Sequence, residues 1–167
     1  VKVDGFRTAR LTAADAPELQ NLFERATDFF ELCEGGPPRS DAALKELTQV
    51  PERFTLDDLV AFGFWRERLD GVVVLLREPL KEAAWWIGLL LLDPAARGAG
   101  AGTRIFEATR EWLAVSGAQT IYIGVVVRNE AAQRFWLARG FEEINVQEYT
   151  TSYGFTTEVV VMQRAIE

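Results

Sequence analysis

Histidine is absent from this chain of 167 residues, which removes in one step the Ser-His-Asp triad, the Cys-His pair and every histidine-ligated metal site. Cysteine occurs once, as Cys33, so no internal disulfide can form. With no base beside it and an apolar helix face around it, Cys33 reads as a buried structural residue. Long apolar runs are also missing. The longest, Ala83 to Leu92, is about half of the ~20 residues a membrane helix needs and reads as a buried strand. Basic excess is lacking too: 18 Lys and Arg against 25 Asp and Glu give a formal net charge of −7. That balance argues against nucleic acid as a partner and favours a cationic one at long range, although solubility alone accounts for such charge in many enzymes. No basic segment leading into an apolar run appears near the start, so no membrane partner and a cytoplasmic location are expected.

What is present suffices for one domain over residues 1–167: 49% of the residues are hydrophobic, enough for a full core. Gly5 to Leu11 reads as a strand, followed by a capping box at Thr12 to Asp15. Leu19, Leu22, Phe23, Ala26, Phe29, Phe30 and Cys33 recur at helical spacing, and Gly35-Gly36-Pro37-Pro38 stops that helix. Residues 31–40 form a polar elbow, and Ser40 is placed to cap a short helix bearing Leu44 and Leu47. Strands follow at 59–68 and 72–76 with Asp70-Gly71 as their hairpin turn, then at 84–92. A helix over Ala101 to Val115, a strand at 119–127 and a helix at 129–139 closed by Gly140 come next. Residues 141–149 and 158–162 form a closing antiparallel pair joined by Thr150-Thr151-Ser152-Tyr153-Gly154. Trp85 and Trp86 alternate across their strand, one for the core and one for a pocket wall.

The most informative stretch is Leu90-Leu91-Leu92-Asp93-Pro94-Ala95-Ala96-Arg97-Gly98-Ala99-Gly100-Ala101-Gly102-Thr103, a strand running into a glycine-rich turn that opens a helix. Glycines keep side chains off the backbone and permit positive φ, so N–H groups converge where the helix dipole is positive, a ready diphosphate site. A dinucleotide fold expects G-x-G-x-x-G directly after the strand and an acidic residue ending the next one, but that strand ends in Arg128 and Asn129. An ATP-type loop needs Gly-Lys-Ser/Thr, and here Gly102 is followed by Thr103 and Arg104. An oxidoreductase fragment using Arg128 for a 2′-phosphate is the weakest reading.

Arg97-x-x-Gly100-x-Gly102 resembles the acetyl-CoA loop of the GNAT superfamily of N-acetyltransferases. Asn129-Glu130-Ala131-Ala132-Gln133-Arg134-Phe135-Trp136-Leu137-Ala138-Arg139-Gly140-Phe141 resembles that family's second CoA-binding helix, in the right order and at the right separation. The resemblance covers roughly residues 84–142, and the element order along the chain matches. It implies the α/β (α+β) GNAT fold: a mixed, mostly antiparallel sheet with a splayed central parallel pair, flanked by helices. It also implies acetyl-CoA as cosubstrate, no metal, and as acceptor an amine of a small molecule or a protein. Family members often pair, so a homodimer is among the expectations.

The same resemblance assigns residues. The backbone of Leu90, Leu91 and Leu92 faces the pantetheine arm, and Arg97, Gly98, Ala99, Gly100, Ala101, Gly102 and Thr103 surround the diphosphate. Asn129, Phe135 and Trp136 contribute from the second helix, and Arg134 and Arg139 either reach the adenosine end or are solvated. A backbone N–H near Leu91 or Leu92, at a kink in the strand, meets the oxyanion. Candidate bases are Glu31 and Glu34 in the elbow and Glu82 before the strand. The family's proton-donating tyrosine corresponds to Trp136, whose indole is no proton source near neutral pH. The thiolate then leaves unaided, Tyr149 or Tyr153 protonates it, or the protein is a non-catalytic CoA-binding module. The acyl group, acetyl or longer, stays open.

Overall fold

In the computed structural model, which describes residues 1–151 and 153–166, seven strands form one mixed sheet. They are β1 (Arg7–Arg10), β2 (Leu59–Trp65), β3 (Leu69–Arg77), β4 (Ala84–Leu92), β5 (Thr120–Val126), β6 (Glu142–Thr150) and β7 (Thr156–Ala165). Across the sheet the order is β1-β2-β3-β4-β5-β7-β6, and all neighbours are antiparallel except the parallel pair β4 and β5. Five helices flank it: α1 (Ala16–Arg25), α2 (Thr27–Glu34), α3 (Ala42–Thr48), α4 (Ala101–Val115) and α5 (Glu130–Leu137). One face packs Phe64, Ile87, Ile121 and Met162 against Ile105 and Phe106 of α4 and Trp136 of α5. The other packs Leu69, Val72 and Val74 against Leu19, Leu22 and Phe23 of α1 and Leu47 of α3. Fully burying one such side chain contributes roughly 1.5–3 kcal/mol.

Several expected boundaries shift for identifiable reasons. The long first helix breaks at Ala26, whose φ of −98° and ψ of 34° leave the helical region, and Thr27 Oγ1 donates to the Glu24 carbonyl at 2.8 Å. Residues 31–34 stay helical, so the elbow begins at Gly35, a left-handed C-cap with φ 84°. α3 starts after Asp41 rather than Ser40, and the Asp41 carboxylate pairs with Lys45 at 2.9 Å instead of capping the helix. Gln20 of α1 reaches over to it, accepting from Ala43 N at 3.0 Å and donating to the Arg39 carbonyl at 2.9 Å. The β2–β3 turn lies at 66–68, and Asp70-Gly71 belongs to β3. Asp70 is buried between Arg66 and Arg68, and a Cβ on Gly71 would come within 2.8 Å of Leu92, so this glycine serves close packing. Ser152, in the predicted closing loop, lies outside the described residues. All nine residues of the edge strand β6 are exposed.

The parallel pair is short. Ala84 to Ile87 pair with Thr120 to Ile123, and beyond that register the two strands part. The next residues are Gly88 and Gly124, both exposed. Gly88 is also the extra residue of a bulge against β3, since Val74 pairs with Leu89 and Leu75 with Ile87. The sequence-based expectation of a kink at Leu91 or Leu92 therefore moves to Gly88, because glycine accommodates the inserted residue.

Candidate active site

Asp93 N donates to the Asp70 carbonyl at 2.8 Å, so strand alternation turns Leu91 and Leu89 toward β3 and turns Leu90 and Leu92 toward the gap left by β5. Leu91 therefore offers the gap no backbone group, and its side chain is buried in the opposite core. Arg97 Nε donates to the Leu92 carbonyl at 3.1 Å, leaving the Leu92 N–H and both polar groups of Leu90 on the open edge. Beyond β4, Asp93 caps a short 3-10 turn by accepting from Ala95 N at 2.9 Å, and Gly98 and Gly100 take φ of 83° and 76°. Among the described residues, no protein acceptor engages the backbone N–H of residues 98–103. Those six amides stand at the positive end of α4, and a Cβ on Gly98 would meet open space. The cradle fits a diphosphate.

Gly102 has a different reason. A Cβ there would lie 3.3 Å from the Phe135 ring and 3.6 Å from Leu92, so the glycine lets α5 pack onto the first turn of α4. Phe135 in turn carries the Arg139 guanidinium 3.3 Å above its ring, and Arg139 donates to Thr103 Oγ1. Arg104 folds back to the Ala99 carbonyl at 3.1 Å. Two guanidinium groups thus stand at the loop, one of which, Arg104, sequence reasoning did not assign. Arg134 instead faces Glu130 in solvent. Arg97 does not point at the amides: it forms a bidentate pair with Asp28 of α2 at 2.5 and 3.2 Å, which holds the Asp28 carboxyl below its usual range.

The gap opens into a cavity of about 460 Å³. Its wall includes Leu90, Gly124, Val126, Asn129 and Trp136. Asn129 caps α5 by accepting from Ala132 N at 3.1 Å and turns its amide toward Cys33 Sγ, 3.7 Å away. Cys33 is buried, and burial pushes its thiol up to about 11. Trp136 packs edge-on against Phe106, Phe135 and Phe141 with centroids 4.9–5.5 Å apart, as a core aromatic.

The same cavity is walled by Phe29, Phe54 and Trp86 and holds Glu34 and Tyr149. The tryptophan pair is thereby resolved: Trp85 packs inward on Trp112 at 5.6 Å, and Trp86 faces the cavity with Nε1 donating to Glu78 at 2.7 Å. Glu78 also neutralises Arg53 at 2.9 Å. Glu34 has no side-chain hydrogen bond among the described residues, and burial raises its carboxyl above the usual range. Half-buried Glu46 behind it is pushed up to about 7 by burial and then by the Glu34 charge. Burial, Glu34 and Glu46 together raise the Tyr149 phenol.

The other candidates stand elsewhere. Glu31 and Glu82 are exposed and do not line the cavity. Tyr153 OH accepts from Arg39 N at 2.6 Å, its ring carries the Arg39 guanidinium, and it fastens the closing hairpin to the elbow. Sequence reasoning missed Gly88 and Gly124, although a glycine inside a strand was the available signal for a bulge or close approach. Among the described residues no group of three or more His, Cys, Asp or Glu side chains could hold a metal ion, and no helix is long and apolar enough to cross a membrane.

A sheet opened between two parallel strands, beside a helix start with free amides, defines the frame of an acyltransferase. The model of the acetyltransferase (GNAT) family matches residues 19–141, and the chain belongs to that family. Its members generally use acetyl-CoA and act on amine acceptors. Among solved structures, the chain is similar to an acetyltransferase from Thermus thermophilus, with 21% identity, 99% of each chain covered and a TM-score of 0.76. It is also similar to the ribosomal-protein-S18-alanine N-acetyltransferase from Escherichia coli, at 17% identity, 97% and 94% coverage and a TM-score of 0.70. The ribosomal-protein-S5-alanine acetyltransferase from Vibrio fischeri aligns at 19% identity, 100% and 96% coverage and a TM-score of 0.76. At these identities the likeness carries the fold. None of the curated proteins matches the sequence.

Proposed function

We propose that the chain, as one domain over residues 1–167, is an acetyl-CoA-dependent N-acetyltransferase. It transfers acetyl to a primary amine of a small molecule or a protein by direct attack in a ternary complex. One observation carries this reading: the six free amides follow in the chain from the open edge of β4, and that edge, at Leu90, lines a cavity that also holds Glu34. Acetyl-CoA supplies the thioester electrophile. Leu90 pairs with the amides of the pantetheine arm as a neighbouring strand would, the amides of residues 98–103 hold the diphosphate, and Asn129 flanks the arm.

Glu34 takes a proton from the incoming ammonium, and its raised affinity for protons brings it nearer to the operating pH. The freed amine attacks the carbonyl carbon, while a backbone N–H on the open edge of β4 that lines the cavity donates to the carbonyl oxygen as negative charge develops. The new C–N bond forms and the C–S bond breaks, the electron pair leaving on sulfur while the attacking nitrogen gives up its second proton to water. Tyr149 lines the cavity, is protonated at neutral pH and donates to that sulfur. A thiol pKa of about 8.5 makes the thiolate a tolerable leaving group, so this last step is an aid. Cys33 offers no covalent relay, because its thiol stays protonated at neutral pH.

The test is CoA-thiol release from acetyl-CoA over a panel of primary amines, run beside thermal shifts with CoA. Stabilisation by CoA together with turnover on an amine is expected. CoA stabilisation with no turnover on any amine favours the non-catalytic binding module, for which Trp136, packed in the core at the family's proton-donor position, is the motive. A protein stabilised by NADPH and indifferent to CoA ends both readings.

A further inference from the structure

The phosphate loop is tied to the helical face at two points that straddle the α1–α2 break at Ala26. Before the break, Arg25 donates from Nε to buried Asp93 at 2.5 Å and from Nη2 to the Leu69 carbonyl at 2.7 Å. Beyond it, Asp28 in the first turn of α2 accepts from both terminal nitrogens of Arg97, Nη1 and Nη2, while Arg97 Nε donates to the Leu92 carbonyl. The first tie is interior. The second joins exposed side chains and contributes little to stability, so its value is geometric: a two-pronged pair fixes orientation as well as distance.

Three parts of the site meet at this one guanidinium. Arg97 leads directly into Gly98, so the free amides follow it in the chain. The Leu92 carbonyl it holds lies on the edge that faces the gap. Asp28 stands six residues before Glu34 on one helix, about 9 Å along its axis. The α1–α2 break lets α2 be set separately from α1, whose end is already fixed by Asp93.

We propose that Asp28 is a positioning residue: through Arg97 it links occupation of the phosphate loop to the placement of α2, so that filling the cofactor end sets Glu34 for the amine. This rests on the function proposed above. Anion binding at residues 98–103 stiffens the segment that Arg97 begins, and the ion pair passes that order to α2. If Arg97 instead turned to the diphosphate, Asp28 would be released and α2 would loosen.

Hydrogen exchange of the full chain, with and without saturating CoA, separates these outcomes in the wild type, Asp28→Asn and Asp28→Glu. In the wild type CoA slows exchange both at residues 98–103 and at residues 29–34. Asp28→Asn keeps the loop protection and loses the α2 protection, and Asp28→Glu, which restores the carboxylate, regains it. CoA affinity changes by less than about fivefold throughout, because the pair is exposed. Equal α2 protection in Asp28→Asn, no α2 protection in the wild type, or faster α2 exchange on adding CoA each overturns the proposal alone. Absence of CoA protection at residues 98–103 in the wild type overturns the functional reading, and this proposal with it.

Discussion

Two neighbouring regions of the molecule are built from different material: the glycine-rich turn with the strand edge before it, and the cavity beyond that edge. The first, where the proposed function places the cofactor, is main chain: free amides at residues 98–103 and an open strand edge at Leu90 and Leu92, supplied by one continuous stretch. The second, where the proposed function places the acceptor, is side chain: Phe29 and Glu34 from α2, Phe54 from a loop, Trp86 from β4 and Tyr149 from β6. A site made of backbone tolerates substitution except where a side chain would intrude or a positive φ is required. A site made of side chains changes character with each residue, and on the proposed function it is where one acceptor is told from another.

Gly100→Glu strikes the backbone region and carries the largest expected effect. It places a side chain at φ 76° and a carboxylate beside the diphosphate cradle. CoA at about 100 times its Kd stabilises a protein by roughly 2.7 kcal/mol, and that whole thermal shift should vanish, with turnover. A retained shift would show that the amides are not the binding element. Glu34→Gln addresses the other region. It should lower kcat/KM about 10²- to 10⁴-fold while the CoA thermal shift stays. Equal losses of binding and rate would merge two regions that the geometry keeps apart. Tyr149→Phe should cost less, up to about 10²-fold in kcat, because the thiolate leaves tolerably well without help. Unchanged kcat would take Tyr149 out of the chemistry.

The smallest effect concerns Glu46. The folded protein raises its pKa from 4.5 to about 7, so the fold favours the protonated form. Its contribution to stability is present below the unfolded pKa and is lost as pH rises toward 7. Glu46→Gln should therefore flatten the decline in melting temperature between pH 5 and pH 8 on the scale of those two pKa values. Without the neighbouring charge, Tyr149 should also titrate at lower pH. A wild-type melting temperature that does not fall over this range would show that Glu46 is better solvated than its surroundings imply.

This contrast also explains what could be read from the chain. The strand-glycine-helix stretch and the second helix are local patterns, so the turn and the helix starts at Ala101 and Glu130 were legible, whereas the direction of Arg97, the inward turn of Leu91 and the bulge at Gly88 were not. The fork from Arg97 to Asp28 spans 69 positions, and no local pattern encodes it. Glu31 and Glu34 differ by three residues, yet one is exposed and the other lines the cavity. Their phase depends on the break at Ala26, a residue of good helix propensity where the Thr27 hydroxyl competes for a carbonyl. Tyr153 and Tyr149 sat in one predicted hairpin, and only the docking of that hairpin on Arg39 separates a structural tyrosine from one that lines the site. Asp70-Gly71 matched a turn in composition, but the fully buried Leu69 and the paired Asp70 carboxylate drew both residues into β3.

The exposed strand β6 has a consequence for how molecules of this protein meet one another. As the last strand of the sheet it leaves one row of main-chain donors and acceptors without a neighbouring strand, with half-exposed Ile144 and Val146 along it. Such a rim is a template for adding a further copy, strand upon strand. Glu142 and Glu143 before that apolar pair and Glu148 after it place like charges where a second rim would settle, acting as gatekeepers against runaway self-association.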